Sequence, residues 1–561
     1  MSHRSRILGG TSIDSDRPCR AASRCCPDPF TTPSTGAPMR FAMPLKNRLL
    51  NSALLGALTA GLGACGSSDP AGDSNSPPLG AEKLSVVVLV IDSLMPSDIG
   101  LQTPTLSGLI AEGTFFPESR SVFAAETIPN HVAMMTGVYP ERSGITGNSF
   151  IDFDDPAGPT DKDLSLPEKL TAKTLFTFIN EQCRGSGINP DIRHGATLSK
   201  KYLHEVFAGD DADPERQNDD PAVFNVAPDS HWDPTTSPAY IGPLFEYTPD
   251  RPTMEQALTQ LPDADFFFVN LGSVDRNAHA FGAAGRGLQL LETDSLVQQM
   301  VDALKASGRW DRTVMLVVSD HGMDFTLPGP LQSVTVQPTL DALGACYAPM
   351  QAVQGGGTDS IYVTDRSLPE DQKREALHAA RSCLMGLADC DTLCAGASRP
   401  TNAADIVYAW YTKDDPTDPT GNMPDSIRSQ HPNFGDLVLV ASDGLKFSDP
   451  TPLSNPIPGN HGQIATIHNF MLVTGGSPWV KKGVTVTPSV PSPDLLDRLP
   501  EQSETIDVAP TVAWLLGLGL KASDFPDGRT YDGRVLSQAF VQFDSASNPG
   551  SPTVCGRYDA Q

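Results

Sequence analysis

Positive charge is what this chain has least of. Its 561 residues carry 40 Lys and Arg against 67 Asp and Glu, a formal net charge of −27. Duplex nucleic-acid recognition needs a basic face to neutralise phosphates, so the charge balance argues against that role. A small phosphorylated substrate is not excluded, because bound dications would dominate the field around it. Long apolar runs are also lacking: Leu49–Leu62 falls short of the ~20 residues that a membrane-spanning helix needs. No internal repeat is present, and no aromatic pair stands out as a clamp for a nucleobase.

What is present begins with a processing pattern. Residues 1–42 hold clustered cysteines (Cys19, Cys25, Cys26) with scattered Arg, Pro and Ser, and show no apolar periodicity; a second start at Met39 or Met43 would make them an N-terminal extension. Residues 43–65 read as an export signal, with Lys46 and Arg48 as the basic region, Leu49–Leu62 as the apolar one and Leu62-Gly-Ala-Cys65 as its end. That ending resembles a bacterial lipobox, which implies cleavage before Cys65 and acylation of its sulfur. The alternative is an ordinary signal with a chance cysteine. Residues 66–83, rich in Gly, Ser, Asp and Pro, are a flexible spacer. The expectation is an exported protein, lipid-anchored at the bacterial cell envelope. Past Cys65 stand Cys183, Cys346, Cys383, Cys390, Cys394 and Cys555, an even count that suits disulfides of unreadable connectivity. Zinc binding by Cys390 and Cys394 is the other reading.

Residues 84–546 form the expected catalytic domain and 547–561 a tail. Ser85–Ile91, Asp265–Leu271 and Thr313–Val318 are continuous apolar runs, as in strands buried on both faces; Leu437–Ala441 and Phe470–Val473 follow the same style. Leu290, Leu291, Val297, Met300, Val301 and Leu304 make one helical face, and Asp507 is placed to cap a helix bearing Val508, Val512, Leu515 and Leu516. Strands alternating with helices predict an α/β fold: a doubly wound, mainly parallel sheet with helices on both faces. Asp324–Asn433, rich in Gly, Pro and Asp, reads as an inserted cap subdomain, and Asp152–Asp263 as long polar loops partly covering the site.

The chemistry-bearing residues follow the strands. Asp92 ends the first run, Asp275 lies beyond the second, and Asp320 with His321 ends the third. Ligands of open α/β sheets bind outside the carboxyl ends of strands, so these residues converge at one rim. Thr127 in Thr127-Ile-Pro-Asn-His131 suits a helix start with Pro129 early and Gly137 as the stop, where free N–H groups favour an oxyanion. A plain Thr N-cap is its bland alternative. Asp275 and His279, spaced i, i+4, can meet one ion; an exposed polar turn is the other reading. His461 in Gly459-Asn-His-Gly462 is preferred over His468, which precedes an apolar strand. Together these are three carboxylates, three imidazoles and an alcohol, the ligand set of a two-metal phosphoryl-transfer site.

The motifs Val90-Ile-Asp92, Thr127-Ile-Pro-Asn-His131, Thr136-Gly-Val-Tyr-Pro140, Asp275-Arg-Asn-Ala-His279, Ser319-Asp-His-Gly-Met323 and Gly459-Asn-His461-Gly resemble the type I phosphodiesterase/nucleotide pyrophosphatase group of the alkaline phosphatase superfamily. Gly435-Asp-Leu-Val-Leu-Val440, Asp507-Val-Ala-Pro-Thr511 and Asp532-Gly-Arg-Val-Leu536 add weaker similarity. The resemblance implies two zinc ions, one held by Asp92, Asp320, His321 and the Thr127 oxygen, the other by Asp275, His279 and His461. It implies Thr127 as nucleophile through a phosphothreonine, Asn148 as donor to a non-bridging phosphoryl oxygen, and a small phosphate ester as substrate. Mixed nitrogen and oxygen ligands suit several divalent metals. Thr127 speaks against a formylglycine sulfatase. Two features depart from the pattern: Glu126 precedes the nucleophile, where a carboxylate would repel an anion, and Ser199-Lys200-Lys201-Tyr202-Leu203 resembles a segment of relatives that cleave phosphomonoesters or phosphonates. Lys200 and Lys201 are therefore candidate substrate contacts, with a solvated helix face as the alternative. A surface binding lipoprotein with a purely structural metal site is the rival from another class.

Overall fold

Ser85–Ile91 forms the strand that its apolar run predicts, buried along its whole length. It pairs in parallel with Phe266–Leu271 on one side and Thr313–Val318 on the other, at the centre of an eight-stranded sheet. The computed structural model describes residues 84–541 apart from 156–157, 184–191, 209–223, 243–244, 326–332, 428, 448–457 and 490–495. The expected extension, the signal segment with Cys65, the spacer and the tail 547–561 lie outside the described residues. Among the described residues no helix is long and apolar enough to cross a membrane.

The strand order is Val484–Thr485, Thr114–Phe116, Met471–Thr474, Thr313–Val318, Ser85–Ile91, Phe266–Leu271, His194–Leu198, Ser230–Trp232. Neighbours are parallel except at Met471–Thr474, which runs antiparallel to both Thr313–Val318 and Thr114–Phe116. The period of two in a strand divides the core into two layers. Val86, Val88 and Val90 face Ile128, Val132, Phe176, Val508 and Val512, whereas Val87 and Leu89 face Leu106, Met254, Val297 and Met300. Helices thus cover both faces, and the fold is the doubly wound, mainly parallel one.

Several expectations need correction. Asp152–Asp263 is not only loop, since it supplies the central-sheet strands His194–Leu198 and Ser230–Trp232. These are short and carry His, Gly, Thr and Ser in place of a Val/Ile run, so no periodicity marks them. Leu437–Ala441 is not in the central sheet. It belongs to a second, antiparallel sheet ordered Met350–Gln354, Thr358–Val363, Leu437–Ala441, Ile406–Tyr411. Leu437 and Leu439 pack on Leu340, Ala376 and Ala380, while Val438 and Val440 pack on Phe123, Phe434 and Ile467. A strand covered on both faces reads the same in either sheet, and the second sheet runs past Asn433. Leu291 is exposed although its five face-mates are buried. Asp507 stands at the N-cap position of Val508–Leu515 but makes no side-chain bond to that helix; its carboxylate accepts from the backbone N–H groups of Glu504, closing the preceding turn, and Arg534, and pairs with Arg498. Four cysteines beside the second sheet form the disulfides Cys346–Cys394 and Cys383–Cys390, which removes the zinc reading of Cys390 and Cys394.

Candidate active site

The central sheet sends its side chains to one rim. Asp92 follows Ser85–Ile91, Asp320 and His321 follow Thr313–Val318, Lys200 follows His194–Leu198, and Asp275 with His279 lies in the first turns of the helix Ser273–Ala306 after Phe266–Leu271. Thr127 opens the helix Thr127–Thr136, with Glu126 extended as its N-cap residue and Gly137 ending it at φ 68°. The alcohol is therefore the first helical residue and not the cap. The sequence Thr-Ile-Pro-Asn-His explains how the turn is held. The Asn130 amide donates to the carbonyls of Val122, Ala124 and Glu126 and accepts from the Val122 N–H at 2.8 Å, which fastens the chain entering the helix.

Two clusters of potential ligand atoms lie at the rim, Asp275 with His279 and His461, and Asp92 with His131 and Asp320. His321 joins the second, its Nε2 3.1 Å from Asp320 Oδ2 and 3.3 Å from Thr127 Oγ1. Three imidazoles share one arrangement. His279, His321 and His461 donate Nδ1–H to the carbonyls of Gly459, Gly322 and Ala125 at 2.9, 2.8 and 2.9 Å. A carbonyl can only accept, so each neutral ring keeps a lone pair on Nε2, as a metal ligand requires. His131 differs. Its Nδ1 faces the Thr127 carbonyl at 2.9 Å and its Nε2 faces the Asn270 amide at 3.0 Å, which uses both nitrogens. We therefore place His131 behind the ligands, not among them, although it lies near Asp92 and Asp320.

Two buried carboxylate oxygens, Asp275 Oδ1 and Asp320 Oδ2, accept no hydrogen bond from outside the cluster, whereas Asp92 Oδ2 faces the Lys200 ammonium. Asp275 Oδ1 faces the Nε2 atoms of His279 and His461 at 3.3 and 3.8 Å. Buried anionic oxygens facing nitrogen lone pairs need positive charge between them, either a proton or a metal ion. The donor set fits two divalent metals.

One cation belongs to the chain itself. Lys200 is fully buried, with Nζ 2.7 Å from Asp92 Oδ2, 2.9 Å from Asp275 Oδ2 and 3.3 Å from Thr127 Oγ1. Burial acts against its charge, but Asp275 and Asp92 outweigh it and hold the ammonium well above the ordinary lysine range. Lys201 is placed elsewhere. Its Nζ pairs with Glu205 at 2.7 Å and Glu246 at 3.7 Å on a half-exposed face.

Charge within the site is unevenly held. Burial, then Asp320, lifts Asp92 well above the carboxylate range. Asp275 and Asp320 are lowered: burial opposes this, but Lys200 dominates at Asp275 and His321 at Asp320. Burial also disfavours a charged His321, yet Asp320 and Asp275 together raise it to about 9. His461 falls well below its usual value through burial and the two neighbouring histidines, and His131 falls to about 4 through burial.

Asn148 reaches the first turn of the Thr127–Thr136 helix from its own loop. Its Oδ1 accepts from the Ile128 N–H at 2.9 Å, leaving Nδ2 for a ligand. Glu126 is turned away from the alcohol: its carboxylate accepts from the Asn148 N–H at 2.6 Å and the Thr358 hydroxyl at 3.2 Å, and burial lifts it to about 7. His468 pairs with Glu118 at 3.5 Å, away from the cluster. The residues that sequence reasoning missed are His131 and Asn270. Both carried a signal, His131 as the last residue of the Thr127 motif and Asn270 as the one polar residue in Phe-Phe-Phe-Val-Asn-Leu.

Comparison with known proteins follows this geometry. The family described as type I phosphodiesterase / nucleotide pyrophosphatase matches residues 86–463. Rat ectonucleotide pyrophosphatase/phosphodiesterase family member 1 is 26% identical over 227 residues, 39% of this chain and 22% of the relative. Bovine bis(5'-adenosyl)-triphosphatase ENPP4 is 24% identical over 230 residues, 39% of this chain and 43% of the relative. The matches thus span less than half the length of these relatives. Human ENPP5 superposes with a TM-score of 0.55 at 14% identity, covering 82% of this chain and all of that one. An inactive murine ENPP5 variant in complex with AMP gives 0.54 at 14%, with the same coverage. With the family matched over most of the described chain and the same fold in these structures, the chain belongs to the type I phosphodiesterase/nucleotide pyrophosphatase family.

Proposed function

We propose that this protein is an exported two-metal hydrolase of phosphate esters, of phosphodiesterase or nucleotide pyrophosphatase type, acting through a phosphothreonine at Thr127. The observation that carries this is the setting of Thr127 Oγ1, 3.3 Å from both His321 Nε2 and Lys200 Nζ at the meeting of the two ligand clusters. Asp92, Asp320, His321 and Thr127 would hold one divalent cation, and Asp275, His279 and His461 the other; zinc is the resemblance's choice. Bound there, the cations would lower the hydroxyl pKa and neutralise phosphoryl charge.

The chain's own residues supply the rest. The start of the Thr127–Thr136 helix and the Lys200 ammonium both favour an alkoxide at Oγ1. In the first step the Thr127 Oγ–P bond forms and the ester P–O bond breaks, and the leaving alcohol carries away the electron pair. In the second, a water oxygen bonds to phosphorus, the Thr127 Oγ–P bond breaks with its electron pair staying on Oγ, and a proton from that water returns to Oγ. Asn148 Nδ2 donates to a non-bridging oxygen, where charge grows in the transition state.

A second reading, phosphomonoester or phosphonate hydrolysis, is favoured by Lys200, because one more fixed cation beside the nucleophile suits a more highly charged phosphoryl group. Disulfides in the second sheet's unit support export to an oxidising compartment, and lipid anchoring at Cys65 remains part of the proposal. Purified protein with two equivalents of zinc should cleave aryl phosphate esters, and Thr127→Ala should lose about 10³-fold or more while keeping its metal. An active Thr127→Ala protein refutes the nucleophile. Metal binding without turnover of any phosphate, phosphonate or sulfate ester favours a binding lipoprotein. The rate ratio of bis-aryl to mono-aryl esters, before and after Lys200→Met, decides between the two enzyme readings.

A further inference from the structure

The antiparallel second sheet touches the site through one hairpin tip. Met350–Gln354 and Thr358–Val363 are joined by Gly355-Gly356-Gly357. Each glycine lies against a different part of the rim. A Cβ on Gly355 would collide with Glu126 Oε1, one on Gly356 with Asn460 Oδ1 and the His461 carbonyl, and one on Gly357 with Gln463. Gly356 also has φ 75°, where glycine is favoured. The tip is bonded as well as wedged, since the Gly357 N–H donates to the His461 carbonyl at 2.7 Å.

Glu126 is the link from this tip to the reacting groups. It is a buried carboxylate directly before the nucleophile, an arrangement unfavourable for an anionic substrate unless the group has another use. Its two oxygens are divided: Oε1 takes the Thr358 hydroxyl at the tip, and Oε2 takes the Asn148 N–H at 2.6 Å. Asn148 in turn is tied to the first turn of the nucleophile helix through Ile128 N–H. We infer that Glu126 is a positioning residue through which the hairpin tip of the second sheet fixes the Asn148 loop, and so its amide, relative to Thr127. Without the carboxylate, the Asn148 backbone loses its acceptor while the side chain keeps a single bond. The amide then turns more freely, and an oxyanion donor displaced by an ångström loses most of its value.

The inference rests on the assignment of Thr127 and Asn148 to the reaction, and a double-mutant cycle separates the two. kcat and KM for an aryl phosphate ester are measured on the zinc-loaded full chain for wild type, Glu126→Ala, Glu126→Gln, Asn148→Ala and Glu126→Ala/Asn148→Ala, with zinc content and thermal midpoint recorded for each. Glu126→Ala should lower kcat by about tenfold to a hundredfold with KM changed less than about threefold. Glu126→Gln, which keeps an acceptor for Asn148 and a donor for Thr358, should recover most of that loss. In the Asn148→Ala background Glu126→Ala should cost less than about threefold more, because the group it acts through is gone. Additive losses, an unimpaired Glu126→Ala protein, or a glutamine variant as poor as alanine would each overturn the inference. An inactive wild type, or an Asn148→Ala protein as active as wild type, would instead remove the functional reading beneath it. If Glu126→Ala does not fold, Thr358→Val, which removes only the tip's hydroxyl, takes its place. Its expected loss is smaller but again absent in the Asn148→Ala background, and a loss that persists there refutes the link.

Discussion

Replacing Lys200 by methionine in metal-free protein should remove about 3–5 kcal/mol of stability. The ammonium lies 2.7 Å from Asp92 and 2.9 Å from Asp275, and all three side chains are buried. At an effective dielectric of about 20 each pair contributes about 6 kcal/mol of gross attraction. Taking the ammonium out of water costs several kcal/mol, which leaves a net loss in the range expected when a buried charge is stripped of its partner. The pH dependence has a definite sign. In wild type the raised Lys200 keeps its full contribution below the unfolded lysine value and loses it only as pH rises through the folded one. Asp275, held low, contributes above the unfolded carboxylate value and loses this as pH falls through its folded one. Neither changes between about pH 5.5 and about pH 8. In the variant, Asp92, already raised by burial and Asp320, loses the opposing pull of the ammonium and rises further, so the variant loses stability relative to wild type as pH climbs above the unfolded carboxylate value. The loss should therefore be larger at about pH 8 than at about pH 5.5. Urea unfolding in the presence of a chelator, at both pH values, reads it directly. A loss below about 1 kcal/mol, or one equal at both pH values, would show that Lys200 does not neutralise these carboxylates.

Metal binding should expel protons. His321 stands at about 9 without metal, so at about pH 7.5 each protein should release about one proton or more as a cation takes its Nε2. Calorimetric titration with zinc in buffers of different ionisation enthalpy measures the number, and no release at that pH would contradict the placement of His321. Reduction should loosen the second sheet's unit. In the chain-entropy picture Cys346–Cys394, 48 residues apart, contributes about 4 kcal/mol, and Cys383–Cys390, 7 apart, about 2.5 kcal/mol. A thermal midpoint unchanged by reductant, with free thiols confirmed, would refute this.

The candidate rim was readable because its carboxylates and imidazoles sit at strand ends. Ser85–Ile91 and Thr313–Val318 are uninterrupted apolar runs, and the residues just after them, Asp92, Asp320 and His321, come to the rim by topology alone. Asp275 and His279 followed from i, i+4 spacing, and the helix Ser273–Ala306 realises it. Lys200 and Lys201 were indistinguishable as neighbours in sequence. A register one residue apart buries one between two carboxylates and leaves the other on a half-exposed face. Leu437–Ala441 misled for the opposite reason, since its pattern states burial on two sides without stating which sheet provides it.

Local order in the chain was thus enough for the architecture and for which polar side chains meet at the rim, because strand and helix periodicities and the strand-end rule act over a few residues at a time. It was silent on contacts whose partners lie hundreds of positions apart. The Glu126 carboxylate looked like a defect beside Thr127 until the fold carried Thr358 to it across 232 residues. The Gly355-Gly356-Gly357 tip looked like any flexible turn until Glu126, Asn460 and Gln463 closed around it. Such pairings depend on where separate elements dock, and docking is settled by the packing of whole layers, which no short window of sequence encodes.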